Sequence, residues 1–193
     1  MDDITAFVLA GGQSSRMGTD KAFVELEGRT LLARALDLVK LVTSDVHILG
    51  SNEQFAAFGA VVEDQFVKCG PLGGIHAALR SSSAQLNLIL AVDMPFVRAE
   101  FLRYLAGLAR TSAAIVTVPR AAGNWQPLCA IYRTPFAVIA ETALQQGRNK
   151  IDPLYREVEV QVIEEIEIER KGFPPDMFRN LNTPEEVQEA TRR

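Results

Sequence analysis

Val8-Leu9-Ala10-Gly11-Gly12-Gln13-Ser14-Ser15-Arg16-Met17-Gly18-Thr19-Asp20-Lys21, entered from the run Ile4-Thr5-Ala6-Phe7, is the stretch that decides the fold. Ile4 to Ala10 is almost continuously apolar, the pattern of a strand buried on both faces of a parallel sheet. It empties into a glycine-rich loop. Glycine lets backbone approach a ligand closely and adopt positive φ, and successive loop N–H groups can form a nest for an anion. Arg16 and Lys21 add full positive charge beside that nest. A strand, a glycine turn and two cations suit the phosphates of a nucleotide. A generic turn is the competing reading from glycine content alone.

Three common motifs do not fit. A Walker A loop needs Gly-x-x-x-x-Gly-Lys-Ser/Thr, but Gly11 and Gly12 are adjacent and Gly18 precedes Thr19 and Asp20. The dinucleotide signature Gly-x-Gly-x-x-Gly is absent. A hydrolase elbow, Gly-x-Ser-x-Gly, would need glycine where Arg16 stands.

The 193 residues fit one domain spanning 1–193. Hydrophobic residues make up 48% and charged residues 23%, as in ordinary globular chains. The net charge of −4 argues against a nucleic-acid partner, which calls for a basic face. Cys69 and Cys129 are far apart and cannot form a Cys₄ zinc site. Two buried thiols in a reducing cytoplasm are expected, with a single disulfide as the competing reading. Met1-Asp2-Asp3 is acidic where a signal peptide is basic, and no apolar run has the length of a membrane span. A cytoplasmic protein without membrane partners is expected.

Apolar runs and helical patterns alternate. Strands are expected at 4–10, 45–50, 60–63, 86–92, 113–118, 128–132 and 157–163. Helices are expected at 30–42, around 53–58, and at 71–81, 99–109 and 134–146. Thr183, Pro184 and Glu186 read as N-cap, first helical residue and capping box of a last helix. The alternation predicts an α/β sandwich with a largely parallel sheet, in which ligands gather at the carboxyl ends of strands.

Candidate residues follow strands accordingly. Asp93 directly follows 86–92. It is either a turn cap before the helix at Ala99 or a Mg²⁺ ligand, since Mg²⁺ takes one or two carboxylates plus phosphates and water. The glycine loop tips the balance to the metal. Asp64 follows 60–63 and precedes Gly70-Pro71-Leu72-Gly73-Gly74, a helix start or a pocket of small residues for a flat base. A carboxylate there could accept from a guanine edge. Asn124 and Trp125 form an ordinary turn or a cover for a planar substrate. His47 and His76 have no ligand-spaced partner and are read as structural. Arg148-Asn149-Lys150 is a solvated edge or a face for an acidic substrate.

Leu9-Ala10-Gly11-Gly12, Ser14, Arg16-Met17-Gly18 and Lys21, with Val92-Asp93-Met94-Pro95-Phe96, resemble the signatures of the nucleotidyltransferase superfamily. Within it the chain most resembles the molybdenum cofactor guanylyltransferases, with further matches at 64–74 and in Asn180-Leu181-Asn182-Thr183-Pro184. Gly73 stands where alanine is common. The resemblance implies a three-layer, Rossmann-like nucleotidyltransferase fold. It implies transfer of GMP from GTP to the terminal phosphate of molybdenum-molybdopterin with Mg²⁺ as cofactor. Arg16, Lys21 and Asp93 would be catalytic. Leu9, Ala10, Gly11, Gly12, Lys21, Asn52, Asp64, Gly70, Leu72 and Asp93 would bind nucleotide, and Gln126, Asn180 and Asn182 would face the pterin. A monomer is expected, with transient contacts to molybdenum cofactor synthesis or acceptor proteins. Competing expectations are a cytidylyl or sugar-phosphate transferase and a non-catalytic nucleotide-binding module.

Overall fold

The computed structural model describes residues 3–11 and 20–191. Gly12 and Arg16, together with Ser14, Met17 and Gly18, lie outside the described residues.

In chain order the strands are β1 (Ile4–Leu9), β2 (Glu25–Leu26), β3 (Arg29–Thr30), β4 (Val46–Leu49), β5 (Ala60–Val62), β6 (Leu86–Ala91), β7 (Val116–Ala121), β8 (Asn124–Trp125), β9 (Cys129–Arg133) and β10 (Val160–Ile163). The helices are α1 (Leu31–Lys40), α2 (Asn52–Phe55), α3 (Pro71–Ser81), α4 (Ala99–Thr111), α5 (Phe136–Gln145), α6 (Glu165–Arg170) and α7 (Pro184–Thr191). The main sheet runs β5-β4-β1-β6-β9-β7-β10, with β8 paired to β7. Strands β5, β4, β1 and β6 are mutually parallel, as are β7 and β10.

β1 shows why the sheet has two covered faces. Ile4, Ala6 and Val8 enter the core under α1 and α4, whereas Phe7 enters the core under α3 and α5. Successive strand residues point to opposite faces, so an apolar residue at nearly every position requires helices on both sides. The result is the expected three-layer sandwich.

The exception to parallel pairing is β9, which is antiparallel to both β6 and β7. A parallel partner for β7 needs a crossover of roughly a dozen residues or more, and the stretch 122–128 is too short. Several boundaries also differ from expectation. The strand expected at 113–118 is Val116–Ala121, and that expected at 157–163 starts at Val160 after a 3₁₀ turn, Asp152–Arg156. The β2–β3 hairpin was not legible. Its turn residues Glu27 and Gly28 have φ of 55° and 74°, the positive pair of a tight two-residue turn, but glutamate at the first of these gives no turn signal.

Candidate nucleotide site

The site grows from the adjacency of β1 and β6. Leu9 pairs with Ala91 at the carboxyl end of both strands, so Ala10–Gly11 and Val92–Asp93 leave the sheet side by side. The Val92 amide continues the ladder by donating to the Leu9 carbonyl at 3.1 Å, and the Ala91 amide donates to the Leu128 carbonyl at 2.8 Å. Gly11 passes close to the next loop. A Cβ on it would come within 3.0 Å of the Gly50 Cα, so any larger residue would push the two loops apart. A cleft of about 170 Å³ opens there, lined by Leu9, Ala10, Gly11, Lys21, Asp93 and Leu128 among others.

Lys21 starts a 3₁₀ turn capped by Asp20, whose carboxylate accepts from the Ala22 amide at 3.1 Å. Its ammonium donates to Asp93 Oδ2 at 3.1 Å and to Asn182 Oδ1 at 2.6 Å. The Asp93 carbonyl accepts from the Leu181 amide at 2.9 Å. Residues far apart in sequence thus meet at one point. Asp93 Oδ1 is buried and has no hydrogen-bond partner among the described residues. An orphaned carboxylate oxygen is costly, and a divalent cation would satisfy it. Among the described residues no cluster of three His, Cys, Asp or Glu is placed to hold a metal ion. A cation here would therefore depend on Asp93 with phosphate and water oxygens, a set that suits Mg²⁺.

Asp64 lies beside the first turn of α3. A Cβ on Gly73 would sit 3.3 Å from Asp64 Oδ2, and one on Gly74 3.5 Å from Oδ1. Burial raises its carboxyl above the ordinary range. Gly70 has φ 67° at the N-terminus of α3, and Pro71 lines the cleft. A Cβ on Gly73 would also come within 2.9 Å of the Phe66 carbonyl oxygen, so the loop 64–70 lies closer to the helix than alanine would allow.

Other expected residues sit apart from the cleft. The Leu72 side chain is fully buried in the core, so it can offer a ligand backbone only. Asn52 is exposed at the start of α2, where its amide donates to Glu63 Oε1 at 2.7 Å. Gln126 donates its side-chain amide to the Asn124 carbonyl at 3.4 Å, and Asn180 is exposed. Asn182 parts from these two by joining Lys21. Trp125 packs edge-on against Tyr155 at 5.1 Å, with the Arg120 guanidinium over its ring. It is therefore a strand residue anchored to the core. Arg148 is ion-paired to Glu157 at 3.0 Å.

His47 stacks on Phe7 and approaches Asp45 at 3.0 Å. His76 is buried against Phe66, and desolvation lowers its pKa. Cys129 is buried and its thiol pushed up by desolvation, whereas Cys69 is only half-buried, contrary to expectation, because it sits in the surface loop before α3. Sequence reading missed Asp20, the Leu128 carbonyl and Leu181. Asp20 carried a signal as a cap before a helical turn; the other two act through backbone, which side-chain identity does not reveal.

Comparison with known proteins identifies the family and the fold. The family model for the MobA-like NTP transferase domain matches residues 6–160. The molybdenum cofactor guanylyltransferase of Desulfosudis oleivorans is 35% identical over 98% of this chain and 95% of its own. The probable molybdenum cofactor guanylyltransferase of Carboxydothermus hydrogenoformans is 31% identical over 100% and 97%. The crystal structure of molybdopterin-guanine dinucleotide biosynthesis protein A from Archaeoglobus fulgidus superposes with a TM-score of 0.84 at 28% identity, covering 97% of both chains. The fold alone is shared with 2-C-methyl-D-erythritol 4-phosphate cytidylyltransferase from Thermus thermophilus, at TM-score 0.70 and 16% identity over 96% of each chain.

Proposed function

The chain belongs to the MobA-like NTP transferase domain family, and from that premise we propose that it transfers GMP from GTP to the terminal phosphate of molybdenum-molybdopterin, forming the guanine dinucleotide cofactor and releasing pyrophosphate. The observation that carries this reading is the meeting of Lys21, Asp93 and Asn182 at the carboxyl edge shared by β1 and β6. The names of full-length relatives supply the guanylyl and molybdenum cofactor chemistry.

In the proposed reaction an acceptor phosphate oxygen bonds to the α-phosphorus of GTP, and the bond from that phosphorus to the bridging oxygen breaks. The electron pair leaves with pyrophosphate. A phosphate is already nucleophilic at neutral pH, so no serine, cysteine or histidine is called on. Catalysis is alignment plus charge stabilisation. The backbone of Leu9, Ala10, Gly11 and Gly12 cradles phosphate. Arg16 and Lys21 hold the departing β- and γ-phosphates. Asp93 would hold Mg²⁺ through the oxygen left free by Lys21; when bound, that ion supplies charge neutralisation at the α-phosphate and the leaving group. Asp64 with Gly70–Gly74 takes the guanine edge, and the exposed Asn52 contributes on the nucleotide side. The whole chain acts as one domain, as a cytoplasmic monomer, with transient contacts to proteins that supply or receive the cofactor.

The test is pyrophosphate release with GTP, Mg²⁺ and molybdenum-loaded molybdopterin, beside CTP and ATP. Release with GTP alone is expected. Release with CTP instead would keep the mechanism and overturn the base pocket. Nucleotide binding without release would leave only a binding module. In the same assay Asp93→Ala is expected to abolish turnover while GTP binding partly survives; full activity with Mg²⁺ present would remove Asp93 from the metal role.

A further inference from the structure

A second cavity, of about 380 Å³, lies beyond the cleft between the loop 92–98, the start of α4 and the C-terminal segment, with Phe96, Arg98, Asp176, Met177 and Arg179 among its lining residues. Its size is within the range of small-ligand sites, roughly 300 Å³ and upward. The Arg179 guanidinium lies 5.0 Å over the Phe96 ring. Arg98 is exposed at the N-cap of α4, where no side chain caps the helix. A cation there opposes the helix dipole, so its place is poor for stability and good for holding an anion. Neither guanidinium is paired with a carboxylate among the described residues. The cavity between α1 and the same loop is different. It is also lined by two arginines, but Arg29 is paired with Asp37 and Arg34 with Glu27.

The cavity is tied to the reacting centre by both of its walls. Phe96 follows Asp93 by three residues, and Arg179 precedes Asn182 by three. Three residues of extended chain reach at most roughly 10 Å. The two walls are joined where the Leu181 amide meets the Asp93 carbonyl, and Asn182 meets Lys21. A ligand whose flat body occupies the cavity can therefore extend an anionic arm to the α-phosphate position beside Asp93.

We propose that the Phe96–Arg98–Arg179 cavity is the acceptor subsite, taking a planar, anionic heterocycle against the stacked Phe96–Arg179 pair and within reach of the Arg98 guanidinium. The inference rests on the transferase reading above. Guanidinium planes and aromatic rings both stack on flat heterocycles, and unpaired arginines give charge-assisted hydrogen bonds to anionic groups. Asp176 on the wall offers an acceptor to ring N–H donors.

Equilibrium binding of molybdopterin and of GTP, each measured without turnover, tests the assignment in the full-length protein. The variants are Arg98→Ala, Arg179→Ala, Arg179→Lys and Phe96→Leu, with Arg103→Ala on the exposed face of α4 as control. Each alanine variant is expected to weaken molybdopterin binding roughly tenfold, one charge-assisted contact's worth, and to leave GTP binding within about twofold. Arg179→Lys should fall between wild type and alanine, because it keeps charge and loses the flat guanidinium. Wild-type molybdopterin affinity in the variants, or parallel loss of GTP affinity, would overturn the assignment. Weakened molybdopterin binding in the variants, with a wild-type protein that binds it and transfers no GMP, would keep the subsite and discard the transferase reading. A wild-type protein that does not bind molybdopterin would overturn both.

Discussion

Lys21 shares its ammonium between a carboxylate and a side-chain amide, and that contact suggests a phosphate-side role for Asn182 that can be tested against the pterin-side one. From sequence Asn182 was grouped with Asn180 and Gln126 on the pterin side. In the structure it holds the cation proposed to steady the departing phosphates. Asn182→Ala is expected to raise the GTP KM roughly tenfold, the cost of one hydrogen bond to a charged group, and to leave the molybdopterin KM near wild type. Initial rates with each substrate varied in turn would check this; a rise in the molybdopterin KM alone would return Asn182 to the acceptor side. Asp64 makes a second residue-scale case. Burial penalises its ionised form, a cost that the proposed acceptance of a guanine edge would explain. Asp64→Asn is expected to raise Tm slightly while weakening discrimination of GTP against ATP. Thermal melts and competition binding on the same variant would separate the two effects.

Among elements, α7 was the most fully legible. Thr183 Oγ1 accepts from the Glu186 amide at 3.3 Å, and Glu186 accepts from the amides of Asn182 and Thr183. This reciprocal cap does more than start a helix, because it also fixes the backbone that presents Asn182 to Lys21. Glu186→Ala is expected to cost about 1–2 kcal/mol in denaturant unfolding and to raise the GTP KM with it. Lost stability with unchanged GTP kinetics would show that the cap does not reach the site. β9 is the counterexample. Its apolar residues announced a strand, but its direction and its place between β6 and β7 come from the short connection at 122–128 and from pairing with distant segments. The β2–β3 hairpin was missed because Glu27 adopts φ 55°, a conformation that Gly28 signals and glutamate does not.

At the scale of the molecule, His76 links the core to pH. It is 1% exposed on α3, with Phe66 edge-on at 5.1 Å, Glu141 Oε2 at 3.8 Å and, among the described residues, no hydrogen bond to either ring nitrogen. Desolvation lowers its pKa most strongly. Glu141 opposes that shift and Arg80 reinforces it. The folded protein thus binds fewer protons at this site than the unfolded chain, so stability is whole above the ordinary histidine pKa, roughly 6.5, and declines as pH falls below it. Tm is expected to drop between about pH 7.5 and about pH 5.5, with a shallower drop in His76→Gln. Equal slopes for the two proteins would assign the acid sensitivity elsewhere.

The sequence by itself determined the layered architecture and pointed to a nucleotide site. Apolar runs at strand length, helical spacing between them and a glycine loop with cations are local patterns, and local patterns are readable without coordinates. It also singled out Asp64 and Asp93 by their positions after strands, and Lys21 as a cation of the glycine-rich loop. Only the tertiary structure decided which of the candidates meet. Lys21, Asp93 and Asn182 come together because β1 and β6 are neighbours in register and because Leu181 is buried against the loop that follows β6. Leu72 turned inward, and Asn52 and Asn180 stayed exposed. Side-chain direction and long-range pairing depend on how distant segments pack, and no single stretch of sequence carries that information.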